Sequence, residues 1–117
     1  MFLLVLVLNQ EEYLESILEK LFNIGITGAT VIDSCGMGRT LCERVPFFGG
    51  FSSLLNECRP CNKTIFSVMR DEKMISKATE AIEAVVGDLE QEGIGIMFTF
   101  PLHQVKGWVP ETENNQG

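Results

Sequence analysis

The stretch F-L-L-V-L-V-L, from Phe2 to Leu8, is apolar at every position. A strand with one face in water alternates apolar and polar residues, because successive side chains point to opposite faces of a sheet. An uninterrupted apolar strand therefore predicts a central position in a sheet, with cover on both faces. Asn9 ends the run, which is far shorter than the roughly 18 to 20 apolar residues that cross a bilayer, so we do not expect a membrane protein.

Two helices and three further strands are predicted after this run. Residues 10 to 24 have apolar residues at helical spacing, with Asn9 as the expected N-cap and Gly25 as the expected left-handed stop. Asp71 is expected to cap a second helix, which Gly87 ends. The other predicted strands are residues 29–34, 63–69 and 95–100.

These elements follow the order strand, helix, strand, strand, helix, strand, which is the βαββαβ order of the ferredoxin-like fold. We expect one domain at residues 1 to 108: an α+β sandwich with an antiparallel sheet, two helices on one face and a long loop at residues 36 to 62. Since the helices cover only one face, the apolar first strand predicts an oligomer that covers the other. The polar tail, residues 109 to 117, is predicted to be disordered.

Charge and cysteine content limit the classes of function. The formal net charge of −7 argues against a nucleic-acid partner, since phosphate neutralisation needs clustered lysines and arginines. Neither a basic segment nor a small-residue cleavage site flanks the first apolar run, so we expect a cytoplasmic protein. Without a secretory signal, the four cysteines predict free thiols, a metal site or a redox element rather than a structural disulfide framework.

The long loop opens with a motif that suits anion binding. Its residues are Gly36, Met37, Gly38 and Arg39. Glycines let backbone N–H groups approach an oxyanion, and a guanidinium can donate two hydrogen bonds to it. A flexible hinge with a solvated arginine is the alternative interpretation of the same four residues.

Four further residues are candidates for the same ligand site: Thr30, Lys63, Gly93 and Gly95. Thr30 would offer a hydroxyl from the strand that leads to the motif, although threonine is also an ordinary strand former. Lys63 would supply positive charge, although a solvated lysine at a strand edge is the more common case. Gly93 and Gly95 have the same two interpretations as the glycines of the motif.

The loop also carries a C-x-x-C pair, Cys58 and Cys61, with Cys35 and Cys42 near its start. A four-thiolate zinc site needs two such pairs or an added histidine, so the match to a metal site is only partial. An exposed pair of thiols would oxidise reversibly. Buried or idle cysteines are the third interpretation, and the more common one.

Three aromatic residues make the middle of the loop unusually apolar: Phe47, Phe48 and Phe51. Exposed aromatic clusters mark partner-binding surfaces. The other interpretation, which we favour, is that residues 52 to 57 form a short helix and the segment covers the open sheet face or a neighbouring subunit. No nucleophile stands beside a plausible base in the sequence, so we do not expect an enzyme.

Taken together, several stretches resemble the nitrogen regulatory P-II and P-II-like superfamily. The matching stretches are L-L-V-L-V-L at 3–8, G-A-T-V at 28–31, G-M-G-R at 36–39, N-K-T-I-F-S-V at 62–68, V-G-D at 86–88 and G-I-G-I-M-F at 93–98. The resemblance implies a regulatory homotrimer with small-ligand sites, usually for adenine nucleotides such as ATP, ADP or AMP, in clefts between subunits. It also implies that the loop of residues 37 to 62 contacts a target protein, such as a transporter or an enzyme, in signal transduction related to nitrogen regulation.

The chain resembles a divergent, P-II-like member of that superfamily. At residues 93 to 96 it reads G-I-G-I, where the superfamily's nucleotide-binding pattern has a basic residue after Gly-Asp-Gly. Its only tyrosine, Tyr13, lies outside the loop, whereas some members carry a loop tyrosine that is uridylylated. The alternative is a metal- or redox-responsive trimer similar to the CutA-like proteins of the same fold, using Cys58 and Cys61.

Overall fold

The apolar stretch at residues 2 to 8 forms strand β1, Phe2–Leu8, in a computed structural model that describes residues 1 to 44 and 61 to 108. Three more strands build a sheet with it: β2, Thr30–Ser34; β3, Asn62–Met69; and β4, Gly95–Pro101. The strand order is β2-β3-β1-β4, and every neighbouring pair is antiparallel. The central position predicted for the first strand is confirmed.

Within residues 1–44 and 61–108, three α-helices accompany the sheet: α1, Leu14–Asn23; α2, Met37–Arg44; and α3, Glu72–Val86. A 3₁₀ turn, Glu11–Tyr13, leads into α1. The result is an α+β architecture, as predicted. Its four-stranded antiparallel sheet is compatible with the ferredoxin-like plan.

Local sequence explains where the long helices end. The Asp71 carboxylate accepts a hydrogen bond from the backbone N–H of Met74 at 2.9 Å, an N-cap contribution of about 1 kcal/mol. Gly87 ends α3 with φ of 86°, and Gly25 follows α1 with φ of 98°. Both angles lie in the left-handed region, where a residue without a Cβ is favoured. The cap at Asp71 and the two glycine stops are confirmed.

Asn9 does not cap the first helix, so that prediction is wrong. Gln10 precedes the 3₁₀ turn and makes no side-chain cap hydrogen bond. The Asn9 backbone N–H donates to the Ile94 carbonyl at 3.0 Å, and its side-chain carbonyl accepts from Asn62 at 3.4 Å. Bonds to the sheet and to the turn before β4 have taken the place of a bond to the helix start.

One face of the sheet packs against α1 and α3 and forms the core; we call it the covered face. Leu4, Leu6 and Leu8 of β1 are fully buried there, and each stabilises the fold by about 2 kcal/mol. The other core residues are Ile17 and Leu21 of α1, Ala78, Ala81, Ile82 and Val86 of α3, Ile65 and Met69 of β3, and Ile26 and Ile94 in the connections.

The opposite side of the sheet is also apolar, and we call it the open face. The strand register aligns its side chains in three rows: Phe100, Leu3 and Val68; Phe98, Val5 and Phe66; Ile96, Val7 and Thr64. Phe98 and Phe100 are 44% and 43% exposed. Since α1 and α3 pack on the covered face, neither helix shields these side chains.

Helix α2 lies in the segment that was predicted to be an irregular loop, so that prediction is wrong for residues 37 to 44. The Gly36 carbonyl accepts hydrogen bonds from both the N–H and the hydroxyl of Thr40, at 3.1 Å each, and these close the first turn. Gly38 and Thr40 are poor helix formers, which is why the sequence did not indicate a helix here.

Some of the predicted features fall outside the described residues. They are the aromatic cluster Phe47, Phe48 and Phe51, the short helix at 52–57, Cys58, and the tail at 109–117. Among the helices in the described ranges, none combines the length and the apolar composition that crossing a bilayer requires.

Candidate functional site

Most of the candidate residues lie at one end of the sheet, which we call the loop end. The register pairs Ser34, the last residue of β2, with Asn62, the first residue of β3. It likewise pairs Leu8, where β1 ends, with Gly95, where β4 begins. The candidates in or directly beside these strand ends are Gly36, Met37, Gly38, Arg39, Lys63, Gly93 and Gly95.

A chain of hydrogen bonds crosses the loop end. The Ser34 hydroxyl donates to the side-chain carbonyl of Asn62 at 2.5 Å and lies 2.6 Å from the Thr64 hydroxyl. The Asn62 amide donates to the side chain of Asn9 at 3.4 Å, and the Asn9 backbone N–H donates to Ile94 at 3.0 Å. Asn62 and Thr64 are buried, so their polar atoms depend on these partners. These hydrogen bonds thereby connect the end of β2 to the turn before β4.

The glycine-arginine motif forms the start of α2. Gly36 lies just before the helix, and Met37, Gly38 and Arg39 belong to its first turn. The first N–H groups of a helix have no partner within it and carry partial positive charge, so together with a guanidinium they suit an anion such as phosphate. A Cβ on Gly36 would lie 3.7 Å from the Asn62 amide, an ordinary contact, so packing does not require glycine there.

Backbone geometry accounts for Gly93 and Gly95 without a ligand. Gly95 has φ of 150°, and a Cβ there would lie 2.1 Å from the Val7 carbonyl oxygen, too close for any side chain. Gly93 has φ of 89°, in the left-handed region, with open space beside it. The segment from Gly87 to Gly95 carries three acidic residues and no basic residue. Close strand packing is therefore the better explanation of Gly95.

Lys63 points to the covered face, away from the hydrogen-bond chain, because adjacent residues of a strand point to opposite faces. Its ammonium group contacts the Asp33 carboxylate and lies 3.6 Å from Glu11. The hydrogen bond with Asp33 is the largest influence and raises the pKa of Lys63 above its ordinary value of 10.5. Desolvation opposes this shift, and the negative charges of Asp33 and Glu11 add to it. The Lys63 charge is thus already balanced within the chain.

Thr30 is not brought to the loop end. It begins β2 and lies roughly 13 Å from Ser34, the last residue of that strand. It lines instead a shallow cleft of about 480 Å³ at the other end of β2, together with Gly28, Phe66 and Trp108. Sequence reasoning did not indicate Trp108, because the cleft joins residues that are far apart in the chain.

A disulfide joins Cys35 to Cys61, with a Cα–Cα distance of 4.4 Å. Cys35 follows β2 and Cys61 precedes β3, so the bond lies one position beyond the last strand pair, Ser34 with Asn62. The expectation of free thiols is wrong for these two cysteines. Strand pairing brings them together, whereas the C-x-x-C spacing had directed attention to Cys58.

The described residues place no metal site beside this disulfide. Within residues 1–44 and 61–108, no group of three or more His, Cys, Asp or Glu side chains is placed to hold a metal ion. A metal binds the thiolate form of cysteine. The alternative pair, Cys58 and Cys61, is therefore incomplete as long as Cys61 is bonded to Cys35.

Comparison with known proteins gives no assignment. A scan against protein-family models finds no match, and a search of the curated proteins finds none either. Membership of the P-II and P-II-like superfamily stays a prediction from the sequence.

Proposed function

We propose that this chain is a P-II-like regulatory protein rather than an enzyme. It acts as a cytoplasmic, ferredoxin-like homotrimer that binds a small effector between subunits and contacts a partner protein through residues 37 to 62. The observation that carries the proposal is the loop end. There the start of α2 and the turn before β4, far apart in sequence, are linked through the chain of Ser34, Asn62 and Asn9.

The open face supports the trimeric part of the proposal. Its three rows are almost entirely apolar, and Ile96 in the last row is 59% exposed. Contiguous apolar surface of this kind marks association sites in soluble proteins. Because every copy carries the same face, copies arranged around one axis would bury it together and leave clefts between neighbouring subunits.

The effector that we propose is an adenine nucleotide, held by its phosphate at the start of α2. Arg39 and the N–H groups of the first turn supply the attraction. The acidic segment from Gly87 to Gly95 lies at the same end of the sheet and repels additional negative charge. We therefore expect AMP or a cyclic nucleotide to bind more tightly than ADP or ATP.

Isothermal titration with ATP, ADP, AMP and cyclic AMP tests this proposal. Hydrogen bonds to a charged group contribute about 1.5 to 3 kcal/mol, so Arg39→Ala should weaken the bound nucleotide about 10- to 100-fold. The matched control is Arg70→Ala, because Arg70 follows β3 at the opposite end of the sheet. The Arg70→Ala variant should bind the nucleotide with the same affinity as the wild type.

Two results would contradict the effector assignment. If the titration detected no binding of any of the four nucleotides, the ligand would not be an adenine nucleotide. If both arginine variants lost the same affinity, Arg39 would not contact the phosphate. In either case the assembly through the open face would still be testable by itself.

The partner protein is proposed to contact the segment that contains α2 and the aromatic residues Phe47, Phe48 and Phe51. Met37 at the start of α2 is 77% exposed, which leaves an apolar side chain on the surface. A transporter or an enzyme encoded beside this gene is the partner to test, with and without nucleotide. Met37→Ser should weaken that complex, whereas Phe22→Ser, at an exposed position of α1, should not.

A metal-responsive trimer similar to the CutA-like proteins is the second candidate. It would need the thiolates of Cys58 and Cys61, and the disulfide removes one of them. Metal analysis of untagged protein, purified with and without a reductant, separates the two candidates. Stoichiometric metal in the reduced protein would favour this second function.

A further inference from the structure

The disulfide between Cys35 and Cys61 lies in a part of the fold that neither the core nor the proposed nucleotide contact uses. Both cysteines are exposed to solvent. Their bond joins the residue after β2 to the residue before β3, and it closes a ring of chain that includes α2. An exposed disulfide is accessible to small thiols, which a buried one excludes.

The paired strands hold together without this bond. β2 and β3 are paired along all five residues of β2, up to Ser34 and Asn62. The Ser34 hydroxyl also bonds the Asn62 side chain, and Lys63 contacts Asp33 across the same strand pair. Breaking the disulfide therefore leaves the sheet in place.

Helix α2 depends on the bond more than the sheet does. None of the described residues of α2 belongs to the core, and Met37 is exposed. A helix of eight residues is marginal in water without tertiary support. Because α2 begins two residues after Cys35, the disulfide restrains the chain directly before this helix.

We propose that Cys35 and Cys61 form a reversible thiol–disulfide site whose redox state sets the order of α2. The reactants are low-molecular-weight disulfides and thiols of the glutathione class. In the oxidation, the two cysteine thiols reduce one small disulfide: its S–S bond breaks, the Cys35–Cys61 bond forms, and the two thiol protons leave on the two small thiols released. In the reduction, the same exchange runs in reverse.

This site acts on the segment that carries Arg39, but it does not depend on the proposed effector. The oxidised form presents the first turn of α2 as an ordered helix, whereas the reduced form removes the disulfide constraint from the residue two positions before that helix. A failure to bind nucleotide would leave the thiol chemistry unchanged, so the two proposals fail separately.

The first test is an equilibration of the full chain in buffers with defined ratios of reduced to oxidised glutathione, followed by alkylation and a mass-spectrometric thiol count. The variant Cys42→Ser/Cys58→Ser removes the other two cysteines. We expect both remaining thiols to disappear together as the buffer becomes oxidising, to return on reversal, and to yield a peptide in which Cys35 is bonded to Cys61.

Three results of this test would overturn the proposal. The first is a thiol count that does not change with the buffer. The second is a product in which one cysteine carries glutathione and the Cys35–Cys61 bond does not form. The third, in the wild type, is a Cys58–Cys61 bond in place of the Cys35–Cys61 bond.

The second test is amide hydrogen exchange in the oxidised and reduced forms, at labelling times that leave β1 fully protected in both. The amides of residues 37 to 44 should exchange at least tenfold faster in the reduced form and in Cys35→Ser/Cys61→Ser. Equal rates at α2 would show that the bond does not order the helix. Loss of protection in β1 along with α2 would show that the bond holds the whole fold, which also contradicts a local switch.

Discussion

The two faces of β1 are both apolar, yet α1 and α3 pack on only one of them. Leu4, Leu6 and Leu8 are fully buried under α1 and α3, whereas on the open face Leu3 and Val7 are half-buried and Val5, between Phe66 and Phe98, is buried. The comparison indicates that an apolar strand can serve two purposes at once. Its covered face stabilises the single chain, and we propose that its open face stabilises the assembly.

The largest expected effect is that of Phe98→Asp on the open face. The proposed trimer would bury the new carboxylate in every subunit without a partner, and an unpaired buried charge is strongly unfavourable. The molar mass measured by light scattering after size exclusion should fall from that of a trimer to that of a monomer. Phe22→Asp is the matched control, because Phe22 is 63% exposed on α1, away from the open face. A monomeric wild type, or a trimeric Phe98→Asp variant, would contradict the proposed interface.

On the covered face, Leu6→Ala should lower the free energy of unfolding by about 2 to 5 kcal/mol, since it removes a fully buried side chain and leaves a cavity. Urea denaturation of the monomeric Phe98→Asp background measures this cost without any contribution from assembly. Leu3→Ala, in the same strand but on the open face, should cost distinctly less there. Equal costs would mean that the two faces do not differ in the way described.

Gly95→Ala tests the pairing of β1 with β4, on which both faces of the sheet depend. The added Cβ would meet the Val7 carbonyl oxygen, so β4 must shift against β1 at a cost of about 3 kcal/mol. Gly93→Ala is the matched control: it has a positive φ but open space, and should cost about 1 to 2 kcal/mol. Thermal unfolding of the two variants compares them. If Gly93→Ala were the more damaging change, close strand packing would not explain Gly95.

The smallest expected effect concerns Lys63, at the edge of the covered face. Its pKa is raised by Asp33 first and Glu11 second, so its stabilising contribution is present below the ordinary value of 10.5 and is lost as the pH rises through the higher folded-state pKa. The difference in unfolding free energy between the wild type and Lys63→Met should therefore shrink between pH 9 and pH 11.5. Lys73→Met on α3 serves as the control, and an unchanged Lys63 difference over this range would contradict the ion pairing.

The candidate site was only partly predictable. The sequence singled out Gly36 to Arg39, Gly93 and Gly95 as candidates, because glycine and arginine suit anion binding by residue type alone, but it did not indicate that the first four lie at the start of a helix. It did not indicate that Asn9 and Asn62 would connect these segments, since an asparagine's partner across the sheet depends on register. It also could not show that Lys63 is paired with Asp33, because β2 and β3 are far apart in the chain.

By itself, the sequence determined the features that depend on neighbours in the chain: the central strand β1, the cap at Asp71, the stops at Gly25 and Gly87, and the apolar character of both sheet faces. Capping, backbone freedom and side-chain alternation act over a few residues, so their signals are local. The tertiary structure alone decided that Cys35 bonds Cys61, that Asn9 turns to the sheet, and that α2 forms in a segment without helical periodicity. Those outcomes depend on which strands pair and in which register. Strand pairing and register are set by the burial of the whole apolar core.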